Sequence, residues 1–581
     1  MQKKEVAINQ SNRKSATQIS IAIVSILGLI VCIAVLFPQV RHMIVNFVGQ
    51  MMHKEFHLFQ LWSKALLSFA MGGIFLILFF DYCTLTDSGR TLVRKVKTEI
   101  KDCMSEIDFR SLLKPILIMS GVYMLGILTI IRANFLYIDD IGWSTGGYRD
   151  WYDWSRYVII LLSYIIQPEI QMTDISPIPQ LLAVLVLACC SVLLVYILGN
   201  GKITTVRLLA SIPLGLSPYF LECLSYKFMA FYMALSILVC IVPFLFVNHK
   251  KAFLFCSIIS LLIMCMTYQA ATGIYPMLVV ILAFRYWNNR EKTGKEILSF
   301  LGTAAFAFCF ALLFFRFFLM IPLIGTYTST AVWSISQMFS GIFSNMMKYA
   351  SLINHDFGII WKIGIALVLL FFIIKSVYQS KQRKLLSFIV TIAVIGIAFI
   401  LSYGLYSLLI NPLYAPRALF GFGILLAILC IIVVSDYKKI ASTVVVALSW
   451  CFFVFAFSYG NALADQARYA EFRISILLHD LSVLYPESRE GMTYQLKNVI
   501  EYAHTIQNIA KHYPIIERLV PKRLGYTGNV WEFRYFQDHF NNNIPYGYSA
   551  DFSTLNLPVV LDSYYHTIQS DGKCVLILLK H

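Results

Sequence analysis

The feature that most constrains this chain is a series of apolar runs, each about 20 residues long, repeated from near the N-terminus to residue 459. A helix rises 1.5 Å per residue, so a run of about 20 residues crosses a hydrocarbon core of about 30 Å. Lipid offers the backbone no hydrogen-bond partner, so such runs must be helical. We predict about thirteen spans, at residues 17–37, 58–80, 115–132, 179–199, 204–220, 228–247, 252–269, 273–287, 298–322, 357–376, 386–406, 417–435 and 440–459.

Composition agrees with a membrane protein and excludes an ordinary soluble domain. Hydrophobic residues make up 59% of the 581 residues and charged residues 13%, and the mean hydropathy is +0.71. The net charge of +16 would suit a nucleic-acid-binding protein, but clusters of basic residues alternate along the helical part of the chain with loops that are nearly free of Lys and Arg. They cluster before the first predicted span, within 90–114, and at 250–251, 285–295, 381–384 and 438–439. This is the positive-inside pattern, which predicts a cytoplasmic N-terminus, an outward loop 133–178 and no nucleic-acid partner.

Three regions follow from this pattern. Residues 1–114 form an N-terminal two-span region with a basic cytoplasmic linker, whose helical spacing predicts contact with anionic lipid head groups. Residues 115–460 form the main helical body. The composition becomes more polar at residues 461–581. The pattern there predicts a small extracytoplasmic α/β domain, with an amphipathic helix and two strands about an Asp-Gly turn. The overall prediction is an all-α polytopic membrane protein that carries this C-terminal domain.

The loop after the third predicted span is unusually polar for a membrane boundary. It reads RANFLYIDDIGWSTGGYRDWYDWSRY, with the adjacent acids Asp139 and Asp140 shortly after the span. Adjacent carboxylates repel each other, so at least one needs a raised pKa or a cationic or metal partner. Arg149 and Arg156 are candidates for that partner, or for bidentate binding of a phosphate. The alternative is an interfacial loop that its acids merely solvate, but ionisable clusters at membrane depth are costly and favour a function.

A second outward loop, SPYFLECLSYKFMAFYMALS, lies between two strongly apolar runs. It carries Glu222, Tyr226 and Lys227. The lysine is equally well explained as a side chain that extends to the interface, whereas Glu222 needs a partner or a catalytic role. Acids on two outward loops are the parts of a general base and of a residue that orients it.

Weaker signals lie on the same predicted side. Gln269 occurs in MTYQAATG, where small residues also suit helix packing, and Tyr414 and Arg417 occur in NPLYAPRALFG. An arginine at the start of a span is either an interface anchor or a phosphate ligand, and both readings stay open for Arg417. The sequence shows no nucleotide-binding motif and no metal-ligand spacing, so no cofactor is expected and a divalent metal has no support.

Three motifs carry a resemblance to a known family. The stretches SPYFLECLSYKFMAFYMALSILVCIVPFLFV, YQAATGIYP and PRALFGFG, with the acidic pair after an early outward span, resemble the serotype-converting O-antigen glucosyltransferases of bacteria and their prophages. These Gtr proteins are C-type glycosyltransferases, and the resemblance covers about residues 115–480. One departure is that Met229 stands in SYKFM where SYKFD is typical of the family.

The resemblance implies a location, a donor and an acceptor. It implies an enzyme of the bacterial inner membrane that moves a sugar, usually glucose, from an undecaprenyl-phosphate sugar to a lipid-linked O-antigen repeat on the periplasmic side. Asp139 or Asp140 would then act as base and Glu222 would orient it. Phosphate binding would fall to some of Arg149, Arg156, Lys227 and Arg417, and direct displacement would invert the anomeric carbon. The alternatives are a polysaccharide flippase or transporter and a polysaccharide polymerase or ligase.

Overall fold

The computed structural model of the chain describes residues 56–321, 331–434, 439–486, 490–524, 531–540, 542, 544–547 and 551–580, with side chains from Ala70 onward. The predicted first span, 17–37, lies outside the described residues. The helices are α1 Phe56–Leu85, α2 Asp87–Glu106, α3 Phe109–Ala133, α4 Asp140–Gly146, α5 Tyr157–Ile166, α6 Ile178–Leu198, α7 Thr205–Ala210, α8 Pro213–Leu216, α9 Pro218–Ser225, α10 Ala230–Ile241, α11 Lys250–Cys265, α12 Ile274–Asn288, α13 Gly294–Phe314, α14 Met338–Asp356, α15 Ile359–Tyr378, α16 Lys384–Ser402, α17 Gly421–Val433, α18 Lys439–Leu484, α19 His504–His512, α20 Ile516–Leu519 and α21 Trp531–Arg534. The strands are β1 Thr493–Lys497, β2 Val559–Asp562, β3 His566–Ser570 and β4 Cys574–Leu579.

The basic linker is a helix that turns sharply away from the apolar helix before it. The apolar part of α1, Ala70–Leu85, and the charged α2 meet at 90°. At the corner the Thr86 hydroxyl caps α2 by accepting a hydrogen bond from the Gly89 N–H. A Cβ at Gly89 would lie 2.0 Å from the Tyr82 carbonyl oxygen, so the corner requires glycine. The helical spacing predicted for this linker is thus confirmed.

The predicted span 204–220 is broken rather than continuous. It is divided among α7, α8 and α9, and the two arms, Thr205–Leu216 and Pro218–Ser225, are bent by 61°. Proline lacks the N–H that an interior helical position donates, so Pro213 and Pro218 each begin a new helix. The break places Glu222 on a short helix that is buried along its whole length.

Seven helices in the described residues are long and apolar enough to cross a membrane, or up to nine if each bent pair is one span. Helices α10, extended to Phe246, and α17 are apolar but shorter. A mainly helical protein with a small C-terminal sheet is therefore confirmed. The count of thirteen spans remains a prediction, since several predicted runs form shorter or broken helices.

Basic helix ends lie together at one end of the helical body. The links that join them are hydrogen bonds from the Lys251 N–H to Glu99 (2.9 Å), from Lys292 to Asn248 (3.1 Å), from the Lys381 N–H to the Asn288 carbonyl (2.9 Å) and from Lys375 to the Ile432 carbonyl (2.6 Å). Helix α11 starts at this end and finishes just before Gln269. Helix α17 finishes at this end and starts just after Arg417. The polar residues of the two loops predicted to face outward therefore lie at the opposite end from the basic clusters.

Helix α18 joins the helical body to the C-terminal domain. Its 46 residues span about 70 Å at 1.5 Å per residue, more than twice the thickness of a hydrocarbon core. Its first half packs along α3, where the Thr129 hydroxyl donates to the Ala456 carbonyl. The predicted span 440–459 and the predicted amphipathic helix after it are thus one continuous helix, and the predicted boundary at residue 460 falls within it.

The C-terminal domain is built on a four-stranded sheet of order β1-β4-β3-β2. Strand β1 is parallel to β4, and the other neighbouring strands are antiparallel. The predicted Asp-Gly turn joins β3 to β4, with Gly572 at a φ of 91°, but the segment forms three strands rather than two. The second half of α18 covers the sheet through Ile474, Leu477 and Leu481, and Ile141 of α4 belongs to the same apolar core. The outward loop after α3 is therefore built into this domain.

Candidate active site

The two adjacent acids of the first loop have different environments. Asp140 is fully buried, and its two oxygens accept hydrogen bonds from the backbone N–H groups of Tyr137 (3.2 Å), Lys227 (2.9 Å) and Phe228 (3.3 Å). Burial raises the pKa of Asp140 to about 8, and these N–H groups act in the opposite direction. Asp140 thus joins the first outward loop to the second through the backbone.

Asp139 immediately precedes α4, and its side chain is less buried than that of Asp140. Its Oδ1 accepts a hydrogen bond of 3.0 Å from the indole N–H of Trp531, and within the described residues no hydrogen bond engages Oδ2. Burial raises the pKa of Asp139, while the charges of Arg417 and Arg156 and the Trp531 hydrogen bond oppose the rise. Ile138 has a φ of 38°, an unfavourable conformation for a β-branched residue, so the backbone before Asp139 is strained.

Glu222 and Arg417 form a buried ion pair across 195 positions of sequence. One Glu222 oxygen lies 3.0 Å from a guanidinium nitrogen, and the other accepts the backbone N–H of Arg417. Glu222 is 2% exposed and Arg417 is 14% exposed. The guanidinium lies over the Tyr226 ring, 5.5 Å from its centroid. Glu222 therefore fixes Arg417 in place, and the Arg417 side chain stays partly exposed.

A second cation, Arg156, is linked to this group through Tyr268. The Arg156 guanidinium lies 5.3 Å from the centroid of Tyr268, and the Tyr268 hydroxyl donates to the Arg417 carbonyl at 3.3 Å. Within the described residues, the Arg156 Nε and the Tyr226 hydroxyl are buried without a hydrogen-bond partner. Buried polar atoms are nearly always paired in folded proteins, so these two atoms point to a bound ligand. Two arginines and a tyrosine hydroxyl next to Asp139 suit a phosphate group.

Two predicted phosphate ligands have their donors engaged elsewhere. Arg149 donates to the Ser163 hydroxyl (2.9 Å) and to the carbonyls of Ile170 (2.6 Å) and Gln167 (2.8 Å). Lys227 is 3% exposed and pairs with Asp174 at 2.8 Å. Both side chains hold the loop 167–176. The structure therefore does not bring Arg149 into the group around Asp139, and the charge of the Lys227 ammonium is neutralised by Asp174.

The remaining predicted residues lie around the group. Gln269 donates to the carbonyls of Cys265 (2.8 Å) and Trp154 (3.3 Å), which ties α11 to the first outward loop. The Tyr414 hydroxyl donates to Asn345 at 3.1 Å, and its carbonyl accepts a hydrogen bond from Arg518. Both residues therefore hold segments next to the site.

Sequence reasoning missed three residues that shape this region. Trp531 and Arg518 belong to the C-terminal domain, and no local motif distinguishes them. Asp356 is the last residue of α14, is fully buried, accepts a hydrogen bond from the Tyr219 hydroxyl at 2.9 Å and pairs with Arg518. An aspartate directly before the predicted span 357–376 was the signal that could have found it.

The described part of the chain holds no group of three or more His, Cys, Asp or Glu side chains that could bind a metal ion.

Comparison with known proteins identifies the family. A family model described as glucosyl transferase GtrII matches residues 128–434, more than half of the chain and the part that holds Asp139, Glu222 and Arg417. A protein of Salmonella phage P22, described as an uncharacterized 55.3 kDa protein in the gtrB 5' region, is 24% identical over 427 residues, which is 69% of this chain and 85% of that protein. No solved structure matches. The resemblance indicated by the motifs is thus confirmed, and this chain belongs to the GtrII glucosyl transferase family and is a glycosyltransferase.

Proposed function

We propose that the protein transfers glucose from undecaprenyl-phosphate glucose to a hydroxyl of a lipid-linked O-antigen repeat, with inversion, on the periplasmic side of the bacterial inner membrane. The observation that carries the proposal is the environment of Asp139, whose carboxylate accepts the Trp531 indole N–H at 3.0 Å and is influenced by the charges of Arg417 and Arg156. A carboxylate beside two cations suits a base that acts next to a phosphate leaving group.

Asp139 rather than Asp140 is the base in this proposal. A base must reach the proton it removes, and both oxygens of Asp140 are buried against backbone N–H groups. Asp139 keeps one oxygen available, and burial raises its pKa, which makes the carboxylate a stronger base. Asp140 holds the two outward loops together and so positions Asp139.

Arg417 and Arg156 bind the phosphate that joins glucose to the lipid. As the bond between the anomeric carbon and the phosphate oxygen breaks, its electron pair passes to that oxygen, and the arginines stabilise the charge. The acceptor oxygen forms the new bond to the anomeric carbon and its proton passes to Asp139. Attack from the face opposite the phosphate inverts the configuration, so a β-linked donor gives an α-linked branch. Glu222 acts as a positioning residue, because it touches Arg417 and not the reacting atoms.

The periplasmic assignment follows from the charge pattern. Basic loops face the cytoplasm in membrane proteins, and the basic helix ends lie at the opposite end of the helical body from Asp139 and Arg417. A flippase or transporter would need charged groups along a pathway between both faces, whereas the ion pairs Glu222–Arg417, Asp174–Lys227 and Asp356–Arg518 all lie at the outward end.

The experiment that tests the proposal compares surface polysaccharide with and without the chain. Expression in a host that makes undecaprenyl-phosphate glucose should add one glucose to each repeat, detected by mass spectrometry and sugar analysis. Expression of Arg417→Gln, checked for normal membrane insertion, should leave the repeat unmodified. An unchanged repeat with the wild-type chain, or a change only in the amount of exported polysaccharide, would exclude the proposal and favour transport.

A further inference from the structure

A polar cavity of about 580 Å³ lies between α4 and the C-terminal domain. Its walls are Thr145, Gly146 and Tyr148 on one side and Arg534, Gln537, Asp538, Asn542 and Pro545 on the other. This volume falls within the range of about 300–1,000 Å³ that is usual for small-molecule sites. No residue predicted from the sequence to bind substrate lines it.

Several polar side chains at the cavity have hydrogen-bonding groups that are not in use. Within the described residues, no hydrogen bond or ion pair engages the side chains of Arg534, Gln537 or Asp538. The Tyr148 hydroxyl is buried without a hydrogen-bond partner in the same part of the chain. A guanidinium, an amide, a carboxylate and a phenol offer both donors and acceptors with no net charge, which suits the hydroxyl groups of a neutral sugar.

The cavity adjoins Asp139 through Trp531. The Trp531 ring stacks with the Tyr148 ring that lines the cavity, at 6.4 Å between centroids and 27° between planes, and its indole N–H donates to Asp139. A Cβ at Gly142 would lie 2.2 Å from the Trp531 ring, so α4 needs glycine there for Trp531 to pack. Asp139 is thus influenced by the charges of Arg417 and Arg156 and is linked through Trp531 to a hydrogen-bonding cavity that has no net charge.

We infer that this cavity binds the hydroxyl-bearing oligosaccharide that receives the sugar, with Gln537 and Asp538 as specificity-determining residues. The inference rests on the proposed function, because a base in this reaction must touch the acceptor hydroxyl. The proposed function assigns Arg417 and Arg156 to the phosphate, which leaves the cavity next to Trp531 for the acceptor. The acceptor is then held jointly by the helical body and the C-terminal domain.

The test uses the full-length protein in lipid nanodiscs with two probes, undecaprenyl-phosphate glucose and oligosaccharide repeats released from the surface polysaccharide of the host strain. Oligosaccharide binding is measured by saturation-transfer NMR, and transfer is measured separately. Gln537→Ala and Asp538→Asn should each weaken oligosaccharide binding about three- to tenfold, the loss expected for one or two hydrogen bonds. The KM for the oligosaccharide should rise by the same factor, with donor affinity unchanged. Gln507→Ala, an exposed change on α19 of the same domain, should change neither value.

The outcomes separate this inference from the proposed function. Equal oligosaccharide affinity in the wild-type, Gln537→Ala and Asp538→Asn proteins would overturn the inference, even if transfer is normal. Absence of oligosaccharide binding by the wild-type protein would also overturn it. Binding that the cavity variants weaken, without transfer from undecaprenyl-phosphate glucose, would support the cavity and refute the proposed donor.

Discussion

Replacing each of the two adjacent acids by asparagine should separate chemistry from folding. The change removes one charge and one acceptor oxygen and keeps the size of the side chain. In Asp139→Asn the amide oxygen can still accept the Trp531 N–H, so local packing is retained. In Asp140→Asn one oxygen and one NH₂ group must face three backbone N–H donors at 2.9 to 3.3 Å.

The two substitutions are expected to affect different quantities, which are turnover for Asp139→Asn and stability for Asp140→Asn. Loss of a general base lowers turnover by about 10²- to 10⁴-fold, equivalent to about 3–5 kcal/mol in the barrier, so Asp139→Asn should be nearly inactive but normally folded. Asp140→Asn leaves at least one buried donor unpaired, which costs about 1–3 kcal/mol of stability. It should unfold at lower temperature, and the fraction that stays folded should retain measurable turnover.

The assay combines single-turnover transfer with thermal unfolding of both variants in the same detergent. Because large proteins often unfold irreversibly, the unfolding midpoints are compared at one scan rate. Substantial activity in Asp139→Asn, together with a stable but inactive Asp140→Asn, would refute the assignment and make Asp140 the base.

Three further predictions concern the surrounding residues. Because Asp139 acts only when deprotonated and burial raises its pKa, kcat/KM should fall as pH decreases through a value above that of an ordinary aspartate. A pH profile without this acidic limb would contradict the role of the residue. Glu222→Gln should lower both donor affinity and stability, because breaking a buried ion pair costs about 3–5 kcal/mol, and isothermal titration with the donor together with unfolding midpoints would detect both losses. Arg149→Gln should lower the unfolding midpoint through loss of its hydrogen bonds to 163–170 and leave the donor affinity unchanged, and a selective loss of donor binding would instead place Arg149 in the phosphate site.

Local patterns predicted the main elements because they depend on neighbouring residues. Apolar runs dictate helices in any lipid environment, and the spacing in 87–106 and the Asp-Gly turn at 571–572 act over one or two turns of chain. The same runs misled where proline interrupts them, as at Pro213 and Pro218, and where α18 continues unbroken past the predicted span end. Hydropathy measures composition and does not detect where a helix bends or extends into water.

The sequence by itself determined that this is a helical chain with a polar, acidic cluster in the loops between its apolar runs, because charged groups at membrane depth are costly and need partners or a function. It also supplied Asp139, Glu222, Tyr226 and Arg417 as candidates. Only the tertiary structure decided which of these residues contact each other and which stay accessible. Glu222 and Arg417 meet across 195 residues, Asp140 is enclosed by backbone N–H groups while its neighbour stays open, and Trp531 arrives from another domain. Pairing, burial and exposure depend on the whole path of the chain, so they cannot be predicted from residue type and local spacing.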